Sequence, residues 1–314
     1  SLNSLTSGDS NVAMGTLALE DLTAGTLNVA IGASAMAQAS TAADKNVAIG
    51  ANAMDGNWTS ANVDGVVAIG YNSLGGVLTT DATATVAIGM ESLKALTSGI
   101  GNVAIGYQAL LVEDDGDHST AVGYHALKAQ TGTTGNVGNT AVGHQAATSL
   151  TTARFSTFIG KDAGLVHTTG AYNTAIGYGA MDDTNAGANS LGSAENIFIG
   201  IDAGGGTWAD VASSGNVAIG NYSMDSALNG SNSNTAVGKH SLGGLTTGDE
   251  NVAAGISAGV ALTTGHSNVL LGANAGSTAT TEIVNSVMVG NDAGQAAVSA
   301  NHVFIGDHAG YSAV

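Results

Sequence analysis

The sequence predicts an all-β protein, a parallel β-solenoid of about 17 stacked coils, and three observations predict it. A phrase of the type NVAIG, as at 102–106, recurs 17 times along the 314 residues. The columns of that phrase hold the same classes of side chain from first copy to last. Composition rules out an ordinary core: 47 glycines, 4% aromatic residues, no proline and no cysteine leave small and β-branched side chains to build one.

The glycine closing each phrase runs from Gly15 to Gly306 at spacings of 16 to 23 residues, 17 being the commonest. Three residues before it the side chain is always β-branched, as at Val12, Val29, Thr120, Thr235 and Ile197. One residue before it the side chain is always aliphatic, and three residues after it stands Ala or Ser. β-branched residues suit a pleated strand, and its period of two puts the Val and Ile of "VAI" on one side and the middle residue on the other. That middle column is apolar as well: Ala13, Ala30, Ala48, Ala68, Ala87, Ala104, Ala121, Ala141, Phe158, Ala175, Phe198, Ala218, Ala236, Ala253, Leu270, Met288 and Phe304. A half-exposed strand would carry polar groups there, so both sides are expected to be buried. A helix is excluded by the shortness of the runs and by the glycine that ends each one.

Between phrases lies a second element, clearest in "LTAGTLN" at 22–28 and "LTTGHSN" at 262–268. Its Leu reads as a core plug and its Gly as a turn residue, which predicts a short second strand in every coil. One coil cannot fold alone, because ordering each residue costs ~1–2 kcal/mol against roughly 1.5–3 kcal/mol for each buried aliphatic side chain. Stacking supplies the difference. Residues 1–314 are therefore expected to form a single continuous repeat domain, roughly 80 Å long at a strand spacing of ~4.8 Å. An asparagine precedes the glycine by four positions in 11 copies, among them Asn11, Asn28, Asn102, Asn216 and Asn268. Stacked amides satisfy one another, so this column is read as a structural ladder and not as a ligand array.

With the Val and Ile side filling the interior, the middle column is expected to face outward. An apolar ladder of that length marks association, and the 17 middle residues are assigned to the interface of a parallel homotrimer. Phe158, Phe198 and Phe304 would mark places where its axis widens.

The repeated "NVAIGxxA" phrase resembles the head repeats of trimeric autotransporter adhesins of the YadA type, and "LTTGxxNTAVGxxAL" is similar to repeats in bacteriophage tail-fibre proteins. The resemblance spans Asn11 to Gly310 and implies a left-handed parallel β-roll assembled as a trimer. The coils, mostly 17–20 residues, are longer than that family's, and no neck, stalk or anchor segment is present. With no signal peptide and no Met at Ser1, an excised or mature piece is expected.

The chemistry of the chain is sparse. A net charge of −18, with five scattered lysines and the single Arg154, excludes nucleic-acid binding, which needs clustered cations. No apolar run is long enough to insert in a membrane. The eight histidines show no metal-ligand spacing. "VEDDGDHS" at 112–119 places Asp114, Asp115 and Asp117 in one turn, a weak candidate for calcium and chiefly a solvated acidic turn. Asp162, Asp202 and Asp292, two residues after the glycine, are expected to bond turn amides. The longest insertions hold Trp58 and Trp208, the two tryptophans, and are the candidate ligand-binding loops, for a cell-surface glycan or protein receptor. No cofactor and no catalysis are expected. The function expected is a non-enzymatic extracellular fibre or adhesin shaft, on a phage tail or similar surface appendage. The alternatives are an autotransporter adhesin head, a tailspike-like polysaccharide-degrading enzyme and an ice-binding solenoid.

Overall fold

The computed structural model describes residues 3–39, 43–58, 63–78, 82–132, 135–184, 192–278, 283–295 and 300–311. Among the described residues each NVAIG-type phrase forms one three-residue strand, from Val12–Met14 to Val303–Ile305, and no helix occurs. The chain divides into two compact units, Ser1–Phe155 with eight of these strands and Ser156–Val314 with nine. Within each unit successive strands pair parallel and in register, column upon column: Val29 beside Val47 and Ala30 beside Ala48 in the first, Thr174 beside Ile197 and Ala175 beside Phe198 in the second. Each unit is thus a parallel β-solenoid.

The strands are short because the repeated glycine ends them. Gly50 has φ +132°, and a Cβ built on it would lie 2.6 Å from the carbonyl oxygen of Gly70 in the next coil. No other residue type fits a backbone that turns so tightly against its neighbour. Two further corners in each coil are left-handed even without glycine, as at Asn52 and Met54 with φ 56° and 52°. Each such residue costs ~1–2 kcal/mol, and each is held by a bond to an adjoining coil: the amide of Asn52 donates to Ala33 O at 2.9 Å and that of Met54 to Ser73 O at 3.0 Å.

The second strand is largely a turn. Among the described residues only Ala43–Asp44 with Val63–Asp64, and Gly116–Asp117 with Gly135–Asn136, pair as two-residue strands there. The reason lies five positions before the glycine, where Lys45, Glu195 and Asn285 have φ 61°, 60° and 52°. A left-handed residue at that point interrupts any extended run.

The assignment of faces is inverted. The middle column lies inside the single chain: Ala30, Ala48, Ala68, Ala87, Ala104, Ala121, Ala141, Phe158, Ala175, Phe198, Ala218, Ala236, Ala253, Leu270 and Met288 are all fully buried. Ala13 and Phe304, in the first and last strands, are half-buried. These residues therefore cannot form a seam between chains, and Phe158, Phe198 and Phe304 mark no widened axis. The Val and Ile columns point outward instead, with Ile105 36% and Ile219 40% exposed. The physical reason is the thinness of the coil. Its lumen is lined by the alanine column, by the Ala or Ser three residues after the glycine, and by a Leu or Met one residue further, as in Ala104, Ala109 and Leu110. Two β-branched walls would overfill that space.

Where the middle residue is large, the lumen compensates. Phe158, Phe198, Leu270, Met288 and Phe304 are each followed six residues later by glycine, at Gly164, Gly204, Gly276, Gly294 and Gly310, where most other coils have Leu or Met. A Cβ on Gly204 would lie 2.7 Å from the Phe198 ring, and one on Gly164 would run into the Phe158 ring. Large and small thus exchange across the lumen at nearly constant volume. Phe158→Ala alone is expected to lose about 3–5 kcal/mol, and Gly164→Leu alone to be destabilising by overpacking. The double variant recreates the Ala104/Leu110 arrangement and should recover most of the loss, read as the urea midpoint of unfolding.

Candidate functional site

Polar side chains inside the coils are committed to the fold. In the second unit the asparagine column is continuous from Asn173 to Asn268: Asn216 Nδ2 donates to Asn196 Oδ1 at 3.2 Å and to Ser231 O at 2.8 Å, and Asn234 Nδ2 donates to Asn216 Oδ1 in the same way. In the first unit the backbone N–H of Asn46 donates to Asn28 Oδ1 at 3.1 Å, and Asn46 Nδ2 donates to Val63 O at 2.6 Å. These amides are buried and offer nothing to a ligand.

Both tryptophans are inside as well. Trp58 and Trp208 are fully buried, and Trp208 Nε1 donates to Gly204 O at 2.9 Å while its ring meets Phe198 edge-on at 5.7 Å. Their place, eight residues after the glycine, is that of Leu78 and Leu228, so each ring is a core plug and neither is available for stacking on a sugar. Asp162, Asp202 and Asp292 have φ 59°, 48° and 53°, and they serve a left-handed corner that Asp and Asn tolerate better than most residues.

The plug column holds the two buried titratable groups that the sequence reading missed. Glu113 takes the place of Leu96, with Oε1 accepting from the backbone N–H of Asp114 at 3.1 Å and of Gly116 at 2.7 Å, and Oε2 accepting from Gln130 Nε2 at 2.5 Å. Burial pushes its carboxyl up, and these bonds restrain the rise. His167 is fully buried, its Nδ1 3.1 Å from Thr184 Oγ1 and its Nε2 2.8 Å from Gly170 O. Desolvation takes its pKa down to about 4, so the ring is neutral. The signal for both was the aligned leucine column, where a polar residue stands on two adjacent coils at once: Glu113 with Gln130, His167 with Thr184.

Of the acidic turn, Asp114 and Asp115 come together with Glu113, one carboxylate oxygen of each within 4.8 Å of the others. Asp117 is spent elsewhere, its Oδ1 accepting the Ile100 N–H at 2.8 Å from the neighbouring coil. Glu113, already accepting four hydrogen bonds, has little left for a cation that takes six to eight oxygens. In the second unit Asp182 and Asp225 are half-buried and pushed up to about 6, first by burial and then by the Asp202 carboxylate. No pocket is present among the described residues.

One exposed surface of the coil is the outward face of the phrase strands and the corner that follows, beside others that carry Leu17, Leu27, Val77 and Val112. In the first unit it comprises the positions three and one before the glycine and the corner residue just after it. None of the 12 acids of that unit occurs at these positions. Its corners include Tyr71, 51% exposed, and Tyr124, 43% exposed. The rings of Tyr107 and Tyr124 stack at 5.3 Å and those of Tyr124 and His144 at 5.1 Å. No family model matches this chain, and neither does any curated protein or solved structure compared with it.

His167 gives the fold a pH signature. Its pKa is lower folded than the ordinary 6.5, so the unfolded state takes up a proton first. Stability is complete above pH 6.5, falls as the pH drops towards 4, and the total loss is about 3 kcal/mol. Asp182 and Asp225, raised, act in the opposite sense over part of that range. The expected readout is therefore a difference: His167→Gln, which matches Gln130 of the same column, should narrow the stability lost between pH 7 and pH 4 in urea titrations.

Proposed function

We propose that this chain is a segment of a non-enzymatic extracellular fibre or adhesin shaft, assembled in parallel as a homotrimer through the outward Val and Ile ladder. The observation that carries the reading is the outward face of the first unit, free of acids and mostly apolar, with Thr16, Thr120, Thr140 and His144 its polar positions, on a chain of net charge −18. Two copies meeting through any acidic surface repel one another, while this face lets them approach and buries aliphatic groups at ~25 cal/mol per Å². A face repeated in every coil meets its own equivalents when identical chains run side by side, which is what a cyclic assembly requires. The middle column, being lumenal, has no part in this contact. The interior is lined by buried side chains and no pocket occurs among the described residues, which suits a mechanical role. Presentation of receptor-binding loops in three copies would then multiply weak contacts.

The second reading is a tailspike-like enzyme cleaving surface polysaccharide, for which the half-buried Asp182 and Asp225 would be the carboxyls to test. Two measurements divide the readings. Sedimentation equilibrium should give three times the 30.4 kDa chain mass, and Ile88→Asp with Ile105→Asp should reduce it to one chain while the strand signal in circular dichroism persists, because both side chains are already partly exposed. A single-chain mass for the unmodified protein refutes the assembly. Incubation with host polysaccharide should leave its chain length unchanged, whereas shortening that Asp182→Asn abolishes establishes the enzyme.

A further inference from the structure

The outward ladder supplies attraction without alignment. From Val12 to Val103 the position three before the glycine is Val in six successive coils, and from Ile31 to Ile105 the position one before it is Ile in five. Sliding one copy past another by one coil replaces Val with Val and Ile with Ile, so the ladder alone leaves register weakly specified. The corner after the glycine is the exception. It reads Thr16, Ala33, Ala51, then Tyr71, Met90, Tyr107, Tyr124 and His144.

We infer that this corner block, small at one end and aromatic at the other, sets the direction and register in which copies of this chain associate, its partner being the same block of a second copy. The inference rests on the assembly proposed above. Tyr107, Tyr124 and His144 do not wave freely: their rings stack with interplanar angles of 18° and 8°, and Tyr124 also lies 3.9 Å from the His125 ring. The stack holds the rings one per coil, at the spacing of the strands. Met90, next to it in the column, is 45% exposed and Tyr107 36%. In a parallel pair without offset, ring meets ring and alanine meets alanine. An offset of one coil sets Tyr71 against Ala51 on the facing copy and leaves a ring at the other end uncovered. Reversed chains set Tyr107, Tyr124 and His144 against Ala51, Ala33 and Thr16. Each mismatch forfeits contact that the ladder, uniform from Val12 to Val103 and from Ile31 to Ile105, cannot restore, which is how a non-uniform column selects a single arrangement.

The chain has no cysteine, so pairs of introduced thiols report register directly. Val86→Cys and Val103→Cys chains, on adjacent coils, are refolded together and oxidised, and the disulfides are counted by mass. A disulfide needs Cα atoms about 4.4–6.8 Å apart, so one coil of offset strongly favours the mixed product over the like-with-like one. With the native corner, like-with-like bridges should exceed mixed ones by about five-fold or more, and with Tyr107→Ala and Tyr124→Ala the ratio should fall below about two-fold. Both replacements copy the corner of Ala33 and Ala51, so the coil tolerates them. A ratio that stays high in the alanine variant, or one that is already near unity with the native corner, overturns the inference while leaving assembly in place. A single-chain mass in sedimentation, with no bridges of either kind, overturns the assembly itself and this inference with it.

Discussion

The close approach of one coil's backbone to the next at the repeated glycine governs the rest of the structure. With the Gly70 carbonyl oxygen only 2.6 Å from where a Gly50 Cβ would sit, the chain must turn there and nowhere else in the phrase. The strand is cut to three residues, the corner that follows is forced into left-handed geometry, and opposite walls of the coil are drawn together. A lumen so narrow takes alanine from one wall and Ala or Ser from the other, with one Leu or Met and one plug between them. The larger, stiffer β-branched side chains have no room inside. A glycine at each corner and an alanine in each strand are thus two consequences of one steric limit.

That limit explains what was legible in the sequence and what was not. The 17-fold phrase, the strand at "VAI" and the absence of helix could all be read from spacing and residue class, because β-branching and glycine act locally. Which side of the strand faces inward could not be read from periodicity, since both sides are apolar and a period of two is blind to the choice. The habit of placing bulk inside then pointed the wrong way. A signal of the right kind was nevertheless in the sequence: Phe158 with Gly164 and Phe198 with Gly204 exchange volume six residues apart, which only side chains sharing a cavity need to do. Trp58 and Trp208 were legible by the same alignment, since they stand where Leu78 and Leu228 plug other coils. The left-handed corners left a fainter trace, an excess of Asn and Asp, diluted by residues such as Met54 and Leu93 that are held there by bonds between coils.

Buried polarity follows the same economy. A carboxylate or an imidazole in the plug column has no water, so a neighbour on the next coil must answer it. Glu113 has Gln130, which is tied in turn to Ser119 Oγ at 2.9 Å and Asn139 Nδ2 at 3.0 Å. His167 has Thr184. Replacing such pairs with well-packed leucine is often neutral or stabilising elsewhere, so their presence is weak evidence of stability. They do make two coils unlike the rest. In a chain whose coils are otherwise interchangeable, a polar plug that is satisfied only by its own neighbour raises the cost of stacking coils out of order.

The two sides of the strand therefore answer to different demands. Inside, each residue is fitted to the volume left by the coil's own corner, and a change is felt by the fold of the single chain. Outside, the Val and Ile ladder is only half covered by its own chain, and a change there disturbs the fold of the single chain less. Acids are kept off that surface in the first unit although they make up most of the chain's charge; acids suit strands poorly and like charges stacked on adjacent coils repel, so the fold itself favours part of this separation. The exclusion is intelligible if the surface is a contact. On the assembly proposed above, the stacked aromatic corner, whose rings are ordered by one another and yet left open to solvent, would be completed by a second copy.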